Sequence, residues 1–225
     1  MKKMKKVSSS TKKTVTKKTV LVNFILDKSG SMYDVKTSTI SGFNEYINSL
    51  KNNKKVNYRF SLTFFDTFID NKYVDVDIKT IEALNYNTYQ PDGNTALYDA
   101  VCTTIDKVKK GGNKNNKILT VIMTDGQENS STKFSRDDMN KLVDDMKKTK
   151  KWTFVYLGAN QDSWANAQTF GFQQGNVVNY NASTAGVSSA FLSLTNCTNS
   201  FSMTGTNTSS TFFSERDKKD IEEEK

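Results

Sequence analysis

Apolar positions along the chain follow two main patterns, which predict two kinds of element. Nearly continuous apolar runs at Val20–Leu26, Ile118–Met123 and Thr153–Leu157 are typical of strands buried on both faces. Elsewhere, apolar residues recur every three or four positions, which predicts helices with one buried face. That spacing is found at Ile40, Phe43, Ile47 and Leu50; at Leu97, Ala100, Val101, Ile105 and Val108; at Met139, Leu142, Val143 and Met146; and at Val187, Ala190, Phe191 and Leu194.

A third pattern, alternation of apolar and polar residues, occurs between the first two predicted helices. It runs from Tyr58 to Phe64 and again from Val74 to Ile78, which predicts a half-exposed hairpin at the edge of a sheet. Strands that alternate with helices form right-handed crossovers and a parallel sheet. We therefore expect an α/β fold: a Rossmann-like, doubly wound, mostly parallel central sheet with one antiparallel edge strand and helices on both faces.

Residues 1–19 differ in composition from the rest of the chain. They hold eight of its 32 lysines and arginines and no acidic residue, so basic and acidic residues balance in the remainder. The net charge of +8 therefore belongs to a Lys/Ser/Thr segment, which we expect to be a disordered tail. Residues 199–225 are polar and then charged, and are also expected to be a tail. The chain is thus predicted to contain one domain, at residues 20–198.

Composition also excludes several classes of protein. The chain contains no histidine, which removes serine–histidine triads and most zinc sites. Its two cysteines, Cys102 and Cys197, are too few for a disulfide framework and suit a reducing compartment. No apolar run approaches the ~18 residues of a membrane span, and the first run meets Asp27 without a signal-peptide cleavage site. We therefore expect a cytoplasmic protein without a membrane span.

Side chains with oxygen atoms cluster at three places where a strand ends or a helix begins. Asp27, Ser29 and Ser31 follow the first strand, Thr95 precedes the second helix, and Asp125 follows the strand at 118–123. Because the carboxyl ends of parallel strands meet at one edge of a sheet, these residues can lie together. Two carboxylates and three hydroxyls suit a hard cation such as Mg2+ or Mn2+. The alternative interpretation is that Ser29 and Ser31 only cap a helix or fill a turn.

This arrangement resembles the metal-ion-dependent adhesion site of the von Willebrand factor A family, which is built from D-x-S-x-S, a distant Thr and a distant Asp. Asp27, Ser29 and Ser31 match the first element, and Thr95 and Asp125 match the other two. The resemblance implies that Ser29, Ser31 and Thr95 bind Mg2+ directly and that Asp27 and Asp125 hold bound waters. It also implies that an Asp or Glu carboxylate of a protein partner completes the shell of the ion.

The segment Tyr156–Asp162 looks like a bacterial and phage branch of the same family. The resemblance thus implies a non-enzymatic, metal-dependent protein-binding module in the cytoplasm of a bacterium or of a phage-infected host. Two other functions stay open. One is a structural or assembly component, of a phage for example, whose basic tail contacts nucleic acid or an anionic surface. The other is a Mg2+-dependent phosphohydrolase with Asp27 as nucleophile, although such enzymes need a second Asp where this chain has Ser29.

Three further polar residues near these clusters have open roles. Asp99 lies one helical turn after Thr95, where it could orient the loop or form a surface pair. Glu128 and Asn129 follow Asp125 and could contact a partner, although polar residues are ordinary in exposed loops. The sequence does not choose between these alternatives.

Overall fold

A six-stranded sheet lies at the centre of the computed structural model, which describes residues 17–111, 117–159 and 167–223. The strands are β1 (Lys18–Asp27), β2 (Val56–Phe65), β3 (Ile69–Asp77), β4 (Ile118–Thr124), β5 (Trp152–Ala159) and β6 (Val177–Tyr180). Their order across the sheet is β3-β2-β1-β4-β5-β6, with β3 antiparallel to β2 and every other pair parallel. The predicted mostly parallel α/β sheet with one antiparallel edge strand is confirmed.

Helices cover both faces of this sheet. They are α1 (Lys36–Asn52), α2 (Leu97–Lys110), α3 (Arg136–Lys148), α4 (Thr184–Met203) and α5 (Glu215–Glu222). Helices α1, α4 and α5 pack on one face, and α2 and α3 pack on the other. Side chains of β1 point alternately to the two faces of the sheet. Phe24 packs on the face covered by α1, α4 and α5, whereas Leu21 and Ile25 pack on the face covered by α2 and α3. Within the described ranges, no helix is both long and apolar enough to cross a bilayer.

The structure differs from the tail predicted at residues 199–225. Helix α4 continues to Met203, and Phe212, Phe213 and Ile221 are buried in the core between α4, α5 and the sheet. Three apolar side chains spread over a polar segment give no periodic signal, which is why the sequence pattern predicts a tail here. Each nevertheless removes apolar surface from water when it packs, so the segment forms part of the domain.

The predicted boundary between the N-terminal tail (residues 1–19) and the domain also differs from the structure, because the domain begins before residue 20. Lys18 and Thr19 already pair with β2 as the first residues of β1. Residues 1–16 lie outside the described part of the chain. Residues 160–166 also lie outside it, and they include the end of the Tyr156–Asp162 segment.

Candidate metal site

The carboxyl ends of β1 and β4 lie side by side, because the two strands are parallel neighbours with Leu26 opposite Met123. β1 ends at Asp27 and β4 ends at Thr124, so the loops that follow them start at the same edge of the sheet. The segment before α2 brings Thr95 to this edge as well. The structure therefore places all three predicted oxygen clusters together.

Asp27 is completely buried beneath this edge. Its Oδ1 accepts a hydrogen bond of 2.7 Å from the Ser29 N–H, and its Oδ2 accepts one from the Thr124 hydroxyl. Burial raises the pKa of Asp27 to about 6, although these hydrogen bonds oppose the shift. The adjacent lysine does not neutralise it, since the Lys28 Nζ pairs with the Asp66 Oδ2 at 2.7 Å. A carboxylate withdrawn from water in this way is stabilised by a nearby cation.

Ser29, Ser31 and Asp125 are connected to one another by short contacts between their side-chain oxygen atoms. The Ser29 and Ser31 hydroxyls lie 3.2 Å apart, and the Ser31 hydroxyl donates to the Asp125 Oδ1 at 2.5 Å. Burial raises the pKa of Asp125, and the hydrogen bond from Ser31 opposes that shift. Although Ser29 precedes the 3-10 turn Gly30–Tyr33, its side chain caps no N–H of that turn. Helix capping therefore does not explain Ser29.

Gly126 leaves open the space between the hydroxyls of Thr95 and Ser31. A Cβ at Gly126 would lie 2.8 Å from the Thr95 Oγ1 and 3.5 Å from the Ser31 Oγ. Any side chain there would crowd the Thr95 hydroxyl, so the glycine keeps both hydroxyls facing a common space. Within the described residues, no group of three or more His, Cys, Asp or Glu side chains could hold a metal. A cation at this edge would therefore depend on the hydroxyls, and oxygen ligands of this kind fit Mg2+.

Asn129 holds Thr95 in place. The Asn129 Oδ1 accepts a hydrogen bond of 2.8 Å from the Thr95 N–H, and the Asn129 N–H donates to the Thr95 carbonyl at 3.0 Å. This pair of bonds joins the segment before α2 to the loop after β4, which also carries Asp125. The sequence shows only that Asn129 is a polar residue in a loop, which does not indicate this role.

Glu128 and Asp99 extend the connection between these two segments. The Glu128 Oε2 accepts a 3.0 Å hydrogen bond from the Tyr98 N–H, while its Oε1 accepts from two N–H groups of its own loop. Asp99 is buried, and its carboxylate accepts hydrogen bonds from the N–H groups of residues 132–134. Asp99 therefore orients the loop rather than forming a surface pair. We call Asp99, Glu128 and Asn129 the loop clamp.

Gly93 allows the tip of the β2–β3 hairpin to approach the same site. Its φ is +73°, and a Cβ there would lie 2.8 Å from the Thr67 Oγ1. That hydroxyl accepts a 2.9 Å hydrogen bond from the Asn94 N–H, and the Gly93 carbonyl accepts one of 3.1 Å from the Gly30 N–H. The segment that carries Thr95 is thus held between the loop after β1 and the hairpin tip.

Solved structures that resemble this chain share its fold. The vWF domain of the type V pili tip protein Mfa5 from Porphyromonas gingivalis aligns with a TM-score of 0.66 and 10% identity, over 85% of this chain and 98% of that one. Manganese-loaded TRAP protein from Plasmodium vivax aligns with a TM-score of 0.53 and 19% identity, over 73% of this chain and 69% of that one.

Proximal thread matrix protein 1 from the mussel byssus aligns with a TM-score of 0.58 and 14% identity, over 80% of this chain. The alignment covers 46% of the mussel protein, so the present chain spans about half of its length. At these identities the three structures establish a common fold and no more. A search of curated proteins by sequence found no match.

The sequence also matches a family model directly. The model for the von Willebrand factor type A domain matches residues 22–192, which include all five predicted site residues. This match spans well over half of the chain. The chain therefore belongs to the von Willebrand factor type A domain family.

Proposed function

We propose that this domain is a divalent-metal-dependent protein-binding module. Ser29, Ser31 and Thr95 bind Mg2+ or Mn2+ directly, and Asp27 and Asp125 hold it through bound waters. The bound ion supplies a positive centre for an Asp or Glu carboxylate of a protein partner. The observation that carries the proposal is the meeting of three hydroxyls and two carboxylates from separate segments at the carboxyl edge of the sheet.

The composition of the site supports an ion that seeks a further ligand. Neutral hydroxyls as direct ligands leave a divalent cation with most of its charge, so an additional carboxylate is attracted to it. The loop clamp supports the same function, because it holds Thr95 and Asp125 in one arrangement before any ligand arrives. The solved TRAP structure of this fold was loaded with manganese, which agrees with a divalent metal at a site of oxygen ligands.

The environment of Asp27 supports a non-enzymatic role. A nucleophilic carboxylate needs access to its substrate, whereas Asp27 is completely buried and both of its oxygens accept hydrogen bonds. Ser29 stands where a phosphohydrolase of this kind would need its second Asp. A phosphatase assay of the full chain checks this point: Mg2+-dependent turnover that is lost in Asp27→Asn would contradict the proposal.

We further propose that the domain acts in the cytoplasm of a bacterium or of a phage-infected cell. Cys102 and Cys197 support this, because both are free and buried on opposite faces of the sheet, where they cannot form a disulfide with each other. Fractionation of the source cell, with the chain detected by antibody, tests the location. Recovery outside the cytoplasmic fraction would contradict it.

A pull-down from the source cell tests the binding function. We expect partner proteins to be retained on the immobilised chain in Mg2+ and released by EDTA, and to be absent from Asp125→Ala. Asp145→Ala is the matched control, because this aspartate lies on α3 and pairs with Lys148 on the surface. Mg2+ titration calorimetry should show binding to the wild type and to Asp145→Ala. Partners retained in EDTA and on Asp125→Ala would overturn the proposal.

A further inference from the structure

Three aromatic side chains are largely exposed in the described part of the chain: Tyr33 (68%), Phe68 (79%) and Tyr86 (56%). The other large exposed apolar residues there, Leu192 and Met203, are aliphatic and belong to α4. Single exposed apolar residues are normal on a protein surface. Here, however, all three aromatic residues belong to loops at the edge of the sheet that carries the candidate metal site.

Tyr33 and Phe68 flank the site from two different loops. Tyr33 ends the 3-10 turn that contains Ser31, two residues after that hydroxyl. Phe68 lies at the β2–β3 hairpin tip, next to Thr67, whose hydroxyl accepts a 2.9 Å hydrogen bond from the Asn94 N–H. Each aromatic residue is therefore close in the chain to a group that forms or supports the site.

Tyr86 extends this surface on the side of Tyr33. Its hydroxyl is 2.7 Å from the Thr37 Oγ1, and its carbonyl accepts a 3.2 Å hydrogen bond from the Lys36 Nζ. Lys36 and Thr37 belong to the first turn of α1, which begins three residues after Tyr33. We call Tyr33, Phe68 and Tyr86 the aromatic rim.

The backbone beneath Phe68 is held before any partner binds. The Phe68 N–H donates to the Asp66 Oδ1 at 2.7 Å, and the Phe68 carbonyl accepts from the Asp66 N–H at 3.1 Å. Asp66 in turn pairs with Lys28 in the loop after β1. Because this backbone is already held, little further backbone entropy is lost when a partner covers the Phe68 side chain.

We propose that the aromatic rim binds apolar side chains that flank the metal-binding acidic residue of a protein partner. The partner segment is thus one in which an Asp or Glu has aromatic or aliphatic neighbours. This inference rests on the proposed function, since it places the acidic side chain on the metal. A single carboxylate contributes little area, whereas buried aromatic residues carry much of the affinity of protein interfaces and exclude water from their centre.

The charges near the rim favour this partner over a purely acidic one. Lys28 already pairs with Asp66, and the Lys36 Nζ lies 5.1 Å from the centre of the Tyr86 ring while it bonds to the Tyr86 carbonyl. Both lysines are thus engaged in contacts within the chain. The preference for an acidic residue then comes from the metal, and the rim selects the residues beside it.

Selection from a phage-displayed library of random linear peptides tests the inference. Peptides are captured on the immobilised full chain in Mg2+ and eluted with EDTA. We expect them to share one Asp or Glu with an aromatic or aliphatic residue beside it. A triple variant with Tyr33→Ser, Phe68→Ser and Tyr86→Ser should select acidic peptides without that neighbour and bind the wild-type peptides at least about tenfold more weakly. Leu192→Ser, an exposed apolar residue on α4, is the matched control and should change neither result.

Mg2+ titration and thermal unfolding of each variant separate the possible failures. Peptides that stay bound in EDTA, or that bind Thr95→Ala equally well, would overturn the proposed function itself. EDTA-eluted peptides without apolar neighbours, or equal binding by a folded triple variant that still binds Mg2+, would overturn the aromatic rim alone. Absence of any EDTA-eluted peptide from a chain that binds Mg2+ would also contradict the rim.

Discussion

Asp27 and Lys117 are buried charged residues at opposite ends of the central sheet. The Lys117 ammonium meets the C-terminal end of α4, where it donates to the Phe201 carbonyl and to the Thr204 hydroxyl and lies 4.0 Å from the centre of the Phe201 ring. The negative end of the helix dipole faces this cation. Burial lowers the pKa of Lys117 to about 8, with a further contribution from the charge of Lys18.

Asp27 has a different environment at the carboxyl end. Its hydrogen bonds come from one N–H and one hydroxyl, and the nearby carboxylate of Asp125 adds repulsion to the cost of burial. Lys117 thus lies among acceptors that complement its charge, whereas Asp27 lies among further oxygen atoms. The two buried charges therefore differ in their partners. Lys117 holds the end of α4 through its hydrogen bonds, although burial disfavours its charge, whereas the surroundings of Asp27 indicate a place for a cation.

Alkaline pH should have the largest effect, because it adds negative charge to tyrosines that are buried near both ends of the sheet. At the carboxyl end, the Tyr89 and Tyr180 hydroxyls donate to the carbonyls of Asp27 and Thr124. Burial raises the pKa of both tyrosines well above 10, so the unfolded chain loses these protons first. Stability therefore falls as pH rises above 10, by about 1.4 kcal/mol per pH unit for each tyrosine.

Two tyrosines near the other end add to this loss, since burial also raises the pKa of Tyr46 and raises that of Tyr58 to about 12. The four tyrosines together contribute a fall of about 5 kcal/mol in the free energy of unfolding between pH 9 and 11. Lys117, whose pKa is about 8 in the fold, offsets about 2 kcal/mol of this, because it loses its proton in the fold before it does in the unfolded chain; we therefore expect a net fall of about 3 kcal/mol. Urea denaturation at a series of pH values measures it. Tyr58→Phe should reduce the slope, and a free energy that stays constant over this range would contradict the expectation.

Removal of the buried cation should destabilise the fold without affecting the metal. Lys117→Met leaves the last carbonyls of α4 without their buried donor, so we expect a loss of about 2 kcal/mol in the free energy of unfolding. Lys18→Met is the matched control, because this lysine also donates to the end of α4, at 2.9 Å and 3.0 Å, but is exposed. Its loss should be below about 1 kcal/mol. Equal losses for the two variants, or weaker Mg2+ binding by Lys117→Met, would contradict the comparison.

Removal of the buried Asp27 charge should raise the free energy of unfolding, whereas removal of Lys117 should lower it. Asp27→Asn removes a carboxylate whose pKa is raised by burial while keeping groups that can bond to Ser29 and Thr124. In EDTA at neutral pH we expect the free energy of unfolding to rise by about 1 to 2 kcal/mol, whereas Mg2+ binding is lost. Urea denaturation with and without Mg2+ measures both effects. Destabilisation in EDTA would show that the Asp27 carboxylate stabilises the fold without a metal, and would contradict the expectation.

The smallest effect is expected from the loop clamp. Asn129→Ala removes the acceptor for the Thr95 N–H but no proposed metal ligand, so Mg2+ affinity should fall about tenfold while stability changes little. Gln127→Ala, an exposed neighbour in the same loop, should leave the affinity unchanged. Calorimetric titration with Mg2+ measures the difference. Normal affinity in Asn129→Ala would mean that Thr95 is positioned without the clamp.

Much of this molecule could be predicted from local pattern. The buried strands at 20–26 and 118–123 were visible as apolar runs, and a parallel sheet then required their carboxyl ends to meet. That rule predicts that Asp27 and Asp125 lie at one edge, which the segment with Thr95 can reach, and the structure places all three residues there. Their role as metal ligands stays a prediction until a titration is made.

The roles of Asn129 and Lys117 could not be predicted in this way. Each acts through hydrogen bonds to a segment far away in the chain, and nothing in the residues around it indicates which segment that is. The same holds for residues 199–223, where isolated apolar side chains are buried only because α4 and the sheet offer a surface to pack against.

The sequence by itself therefore determined the order of strands and helices, the family and the oxygen atoms that meet at the carboxyl edge, because periodicity and strand direction are properties of neighbouring residues. Tertiary structure alone decided how Thr95 is held, which of two buried charges is complemented and how far the domain extends. Those outcomes depend on contacts between distant segments, and such contacts form only when the chain has folded.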